Sequence, residues 1–63
     1  MTESALLPET GVYPAGPYTA WATPNGMRAE VRRGSRVVKT FRGETAWSEA
    51  VRKAGDLNRE LKV

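Results

Sequence analysis

The chain of 63 residues has no cysteine and no histidine. Without cysteine there is no disulfide or thiolate metal site to support a small fold, and cysteine usage carries no information on redox compartment. Without histidine the commonest metal ligand and general base are missing. No run approaches the ~18 apolar residues of a membrane span. The first residues are acidic and lack the basic-then-apolar layout of a signal peptide. A cytoplasmic protein is expected, nucleoid-associated if it binds DNA, with no membrane partner.

Catalytic groups are equally scarce. Ser35 and Ser48 have no histidine to activate them, and Glu44 and Glu49 have no matching carboxylate across a cleft. The segment "RRGSR" is a turn and not a phosphate-binding glycine loop. The expectation is a non-enzymatic protein with no metal, cofactor or small-molecule substrate. A chain this short buries only ~60% of the surface its unfolded form exposes, so a single small core is expected.

What the chain does have is segregated charge. The net charge is +3. Residues 1–26 carry Glu3 and Glu9 and no base, whereas residues 27–43 carry Arg28, Arg32, Arg33, Arg36, Lys39 and Arg42 against Glu30 alone. In residues 44–63 the bases and acids balance. A basic block between an acidic segment and a neutral one predicts a single polyanion-binding face.

Residues 1–17 hold three of the four prolines and show no lasting period. They predict a flexible or extended N-terminal arm, which Leu6, Leu7, Val12 and Tyr13 can pin to the core. Residues 18–63 predict the folded domain. "YTAWAT" (18–23) is β-prone and ends at the turn signal "PNG". Residues 27–33 and 36–41 predict two more strands around a two-residue Gly34-Ser35 turn of type II′. That register pairs Val31 with Val38, Arg32 with Val37, and Glu30 with Lys39. It sends Met27, Ala29, Val31 and Val38 to the core, and Arg28, Glu30, Arg32, Val37 and Lys39 to the other face. A bulge near Lys39–Thr40 is expected to return Phe41 to the core.

From Glu44 to Leu61 the period becomes helical, with Trp47, Ala50, Val51, Ala54, Leu57 and Leu61 on one apolar stripe. Gly43 suits the N-cap, and Gly55 marks either a close approach to the sheet or an early end. The fold class expected is α+β: a three-stranded antiparallel sheet packed on one C-terminal helix (β-β-β-α), with the extended arm ahead of it.

This layout, with "AEVR" in the second strand and "RVVKTF" in the third, resembles two related groups. One is the arm-type DNA-binding domain of phage tyrosine integrases; the other is the AP2 domain of plant transcription factors. The resemblance spans residues ~18–61 and is sharpest over 29–41. It implies that Glu30, Arg32, Val37 and Thr40 face the major groove of double-stranded DNA, while Val31, Val38 and Phe41 belong to the core. The first strand differs from those families in offering no arginine, and Trp21 is the large side chain on its outer face. The type implied is a free-standing accessory factor or regulator of phage or plasmid origin, akin to an excisionase.

The residues themselves fit that chemistry. Arginine grips guanine O6/N7 or a phosphate with two hydrogen bonds. Arg33 and Arg36 flank the turn and, with Arg42, suit phosphates. Glu30 accepts from a cytosine amino group or pairs with Lys39 across the strands. Trp21 stacks on a base or packs under Tyr13. The alternative is a small phage-type inhibitor or adaptor that docks the same face, and the arm, on a host protein. A third option is a dimer formed through the open sheet or its edges.

Overall fold

Within the basic segment the side chains alternate and the backbone is β-prone; after Thr45 alanine, glutamate, lysine and leucine favour a helix. The computed structural model describes residues 6–9 and 11–61. Residues 1–5, Thr10, Lys62 and Val63 lie outside the described residues, and with them part of the expected arm and one end of the expected helix surface. The elements are β1 (Leu7–Glu9), β2 (Tyr18–Ala22), β3 (Arg28–Arg33), β4 (Arg36–Arg42) and α1 (Ala46–Leu61). One antiparallel sheet runs in the order β1-β2-β3-β4, and α1 lies across one of its faces.

The fold is α+β as expected, but the sheet has four strands and not three. Leu7, Pro8 and Glu9 pair with Ala22, Trp21 and Ala20. Proline cannot donate to a ladder, yet an edge strand tolerates it, since one of its sides needs no partner.

The Gly34-Ser35 turn is as expected. Gly34 has φ +64° and, among the described residues, none other than glycine has a positive φ, the pattern of a type II′ turn, with Arg33 opposite Arg36. Arg32 faces Val37, also as expected. The next pairs differ: Val31 faces Lys39 and Glu30 faces Thr40. The register shifts between Val31 and Arg32, which leaves Val38 as the extra residue. The bulge therefore comes one to two positions earlier than Lys39–Thr40. Its effect on Phe41 is the one expected, because Phe41 faces Ala29 and packs against the core. Its effects on Val38 and Lys39 are opposite to expectation. Val38 is turned out of the core to 43% exposure, and Lys39 joins Val31 on the helix side of the sheet.

The core is built from small side chains: Ala20, Ala22, Ala29, Val31, Ala46, Ala50 and Ala54. On α1, Ala46, Ala50, Ala54 and Asn58 recur every four residues, forming one ridge of small buried groups. Val12, Tyr18, Phe41, Val51 and Leu57 close its rim. Methyl groups on both sides bring helix and sheet together and leave no depth for an indole. Trp47 consequently sits on the flank at 43% exposure instead of in the core, and Leu61 is exposed at the helix end. Met27 precedes β3 and is exposed as well.

The helix starts two residues later than expected. The Glu49 amide donates to the Thr45 carbonyl at 2.9 Å, so Thr45 is the N-cap. Gly43 takes φ +110° and spends its amide on the Met27 carbonyl at 2.8 Å. That bond ties the end of β4 to the β2–β3 loop before the helix begins.

Gly55 marks a close approach, though to the N-terminal segment and not to the sheet. A Cβ there would lie 2.5 Å from the Tyr13 carbonyl oxygen. One turn on, the buried Asn58 holds the same segment. Its amide donates to the carbonyls of Pro14 and Tyr18 at 2.9 and 3.0 Å, and its Oδ1 accepts from the Tyr18 amide at 2.9 Å. The chain is thereby fastened to α1 where it enters β2. Among the described residues, no helix is long and apolar enough to cross a membrane.

Candidate functional site

Cross-strand partners share a face of a sheet, so the register sorts the side chains. The face away from α1 carries three rows. The first holds Arg28 opposite Arg42. The second runs Pro8, Trp21, Glu30, Thr40. The third runs Thr19, Arg32, Val37.

The middle of this face is preorganised. The Arg32 guanidinium lies 4.3 Å from the centroid of the Trp21 ring. Its Nε donates to the Glu30 carboxylate. The Trp21 indole N–H donates to Thr19 Oγ1 at 2.9 Å, and the Thr19 hydroxyl donates to the Arg32 carbonyl at 3.4 Å. Glu30 is only 5% exposed although it lies on the uncovered face. A buried carboxylate requires a partner, and here the partner is Arg32, two residues along the same strand, and not Lys39. With Nε committed, the two terminal amino groups of Arg32 have no hydrogen-bond partner among the described residues. Trp21 packs against Arg32 and not under Tyr13, which is among the most exposed residues at 83%.

The remaining bases divide between the two faces. Arg28, Arg32 and Arg42 stand on the open face. Arg33, Arg36 and Lys39 stand on the helix side, because their partners Tyr18, Arg33 and Val31 do. Arg33 Nη1 donates to the Tyr18 hydroxyl at 3.2 Å, and its guanidinium lies 5.2 Å from the Tyr18 ring centroid. Lys39 Nζ lies 5.9 Å from the Phe41 ring centroid. The expected open-face position of Lys39 is thus corrected by the bulge. Val37 and Thr40 are on the open face, Val37 as the alternation and the resemblance expect and Thr40 as the resemblance expects.

Among the described residues the ion pairs are Glu30–Arg32 and Asp56–Arg59. Arg28 and Arg42 therefore face each other with no carboxylate at pairing distance, and so do Arg33 and Arg36. Like charges directly opposite on neighbouring strands oppose folding. The chain tolerates two such pairs in one hairpin.

The alternation of "YTAWAT" places Thr19 and Trp21 on one face, but the role of Thr19 in orienting the indole is shown only by the structure. Pro8 borders Trp21 from β1, for which the sequence carries no period. No protein-family model matches the chain, and neither does any curated protein or solved structure.

Proposed function

We propose that this protein is a non-enzymatic binding module that takes double-stranded DNA on the open sheet face. The observation that carries the reading is the facing Arg28/Arg42 couple, without a carboxylate partner among the described residues, beside the Arg32–Trp21 stack on one uncovered surface. Arg28 and Arg42 contact phosphates, Arg32 reaches a base edge or a phosphate with its free amino groups, and Thr40 and Val37 line the approach. Arg33 and Arg36 reach flanking phosphates from the turn. Lys39, on the other side, adds only to the general field. Strands lie ~4.8 Å apart, so β2 to β4 span roughly 10 Å, comparable with the ~12 Å width of the major groove. The phage or plasmid accessory role belongs to the same proposal and has the sequence resemblance as its support.

Anisotropy of a labelled duplex at two salt concentrations tests it. The expected result is a Kd below ~0.1 mM at about 50 mM salt and a log–log salt slope of roughly −3 to −5, as for three to five phosphate contacts. Absence of binding, or binding without a salt slope, overturns the reading.

One observation favours a second reading, an acidic host protein on the same face. Val37 stands in the open opposite Arg32, and the bulge leaves Val38 exposed beside it in the chain, a mixture of apolar and basic groups suited to a protein interface. A nuclease-treated pull-down that keeps a stoichiometric protein partner, with labelled duplex left free, selects it.

A further inference from the structure

The two edges of the sheet differ. β1 has three residues and a central proline, whereas β4 has seven residues and pairs on its inner side only. The outer backbone groups of β4 have no strand beside them among the described residues. On the helix side of this edge, β4 carries Arg36, Lys39 and Phe41. Between β4 and α1 runs a shallow groove lined by Phe41, Glu49, Arg52, Lys53 and Asp56. A free edge with a groove between it and a helix is the geometry that accepts an extended peptide as an added strand.

Charge selects the occupant. Arg36, Lys39 and Arg42 have no carboxylate partner among the described residues, and Arg52 and Lys53 add two more bases at the groove. Of its two acids, Asp56 is bound to Arg59 at 2.9 Å and Glu49 receives the Thr45 hydroxyl. A second copy is a poor occupant. An antiparallel β4–β4 pair centred on Lys39 sets Lys39 against Lys39 and Arg36 against Arg42, and like charges opposite one another repel. Basic residues on an edge strand block self-pairing in this way, yet the same residues attract a strand of opposite charge.

We propose that the β4 edge takes up an extended acidic segment of a partner protein by strand addition, with an apolar side chain of that segment seated on Phe41. A strand added ~4.8 Å from β4 sends alternate side chains to the helix side. There Phe41 meets the apolar one, and Lys39 and Lys53 meet acidic neighbours. Phe41, Lys39 and Lys53 of this site lie on the helix side, away from the surface proposed for DNA, whereas Arg36 and Arg42 are common to both.

The test is a backbone amide NMR titration of the whole chain. The probe is a capped peptide of about eight residues, Thr-Glu-Thr-Val-Thr-Glu-Thr-Glu, near the usual strand length, whose alternate positions bring one valine and its neighbouring glutamates to the same side. The expected result is shifts concentrated at residues 36–42 and at Glu49, Arg52, Lys53 and Asp56. Binding should be lost when the peptide backbone is N-methylated or its glutamates are replaced by lysine. Lys53→Glu, at an exposed position, should weaken it about fivefold. No shift at millimolar peptide overturns the proposal, as do shifts centred on Trp21 and Arg32 or indifference to N-methylation. It is equally overturned if a short duplex and not the peptide moves the groove residues, or if the chain alone dimerises through residues 36–42.

Discussion

The two faces of this sheet are built from different materials. Under α1, the buried part of the face is alanine and valine, and the buried Asn58 of the helix has both its amide and its oxygen hydrogen-bonded. The other face holds two facing arginines, an aromatic ring under a guanidinium, and a buried carboxylate. The first arrangement gains from close contact and tolerates no change of volume. The second holds like charges together at some expense to folding. Substitutions on the two faces should therefore separate stability from binding.

The largest effect is expected at Asn58, which joins α1 to the entry of β2. Asn58→Ala leaves the Tyr18 amide and two carbonyls without their partner, a loss of about 2–4 kcal/mol. In a domain this small, that is most of the stability and should show as an unfolded or barely cooperative chain in thermal melts by circular dichroism. Next comes Ala50→Leu. Packing a larger side chain between helix and sheet should cost about 1–3 kcal/mol, read as a lower urea midpoint at unchanged m-value. Gly55→Ala sharpens the argument, because helix propensity alone favours alanine by about 1 kcal/mol. The contact with the Tyr13 carbonyl should reverse that sign, and denaturation should show a net loss. A gain would mean that the N-terminal segment does not press on α1.

On the open face the order inverts. Arg42→Glu removes a facing like-charge pair with Arg28 and should leave stability unchanged or raise it by up to about 1 kcal/mol. The same variant should bind a DNA duplex at least tenfold more weakly. A variant that lost stability and affinity together would erase the distinction between the faces.

The same contrast explains what the sequence revealed. Alternation placed Ala20, Ala22, Ala29 and Val31 inside and Thr19, Trp21, Glu30 and Arg32 outside, because β2 and β3 pair without irregularity. It failed on β4 at Val38 and Lys39, where one extra residue exchanges the faces and "RVVKTF" carries no glycine to mark the position. The helix stripe gave direction but not depth: only the partner surface reveals that methyl groups fill the interface and expel Trp47. β1 was invisible because three residues around Pro8 have no pattern of their own and borrow their order from β2. The Glu30–Arg32 pair was within reach, since residues two apart on a strand share a face, but the cross-strand partner Lys39 was the more obvious acceptor of that role.

The most direct test of the open face as a nucleic-acid surface is the salt slope of Arg28→Ala/Arg42→Ala. If both side chains hold phosphates, the log–log slope of duplex affinity should become about two units shallower than that of the unaltered protein. An unaltered slope, in a variant that folds normally, would contradict the account.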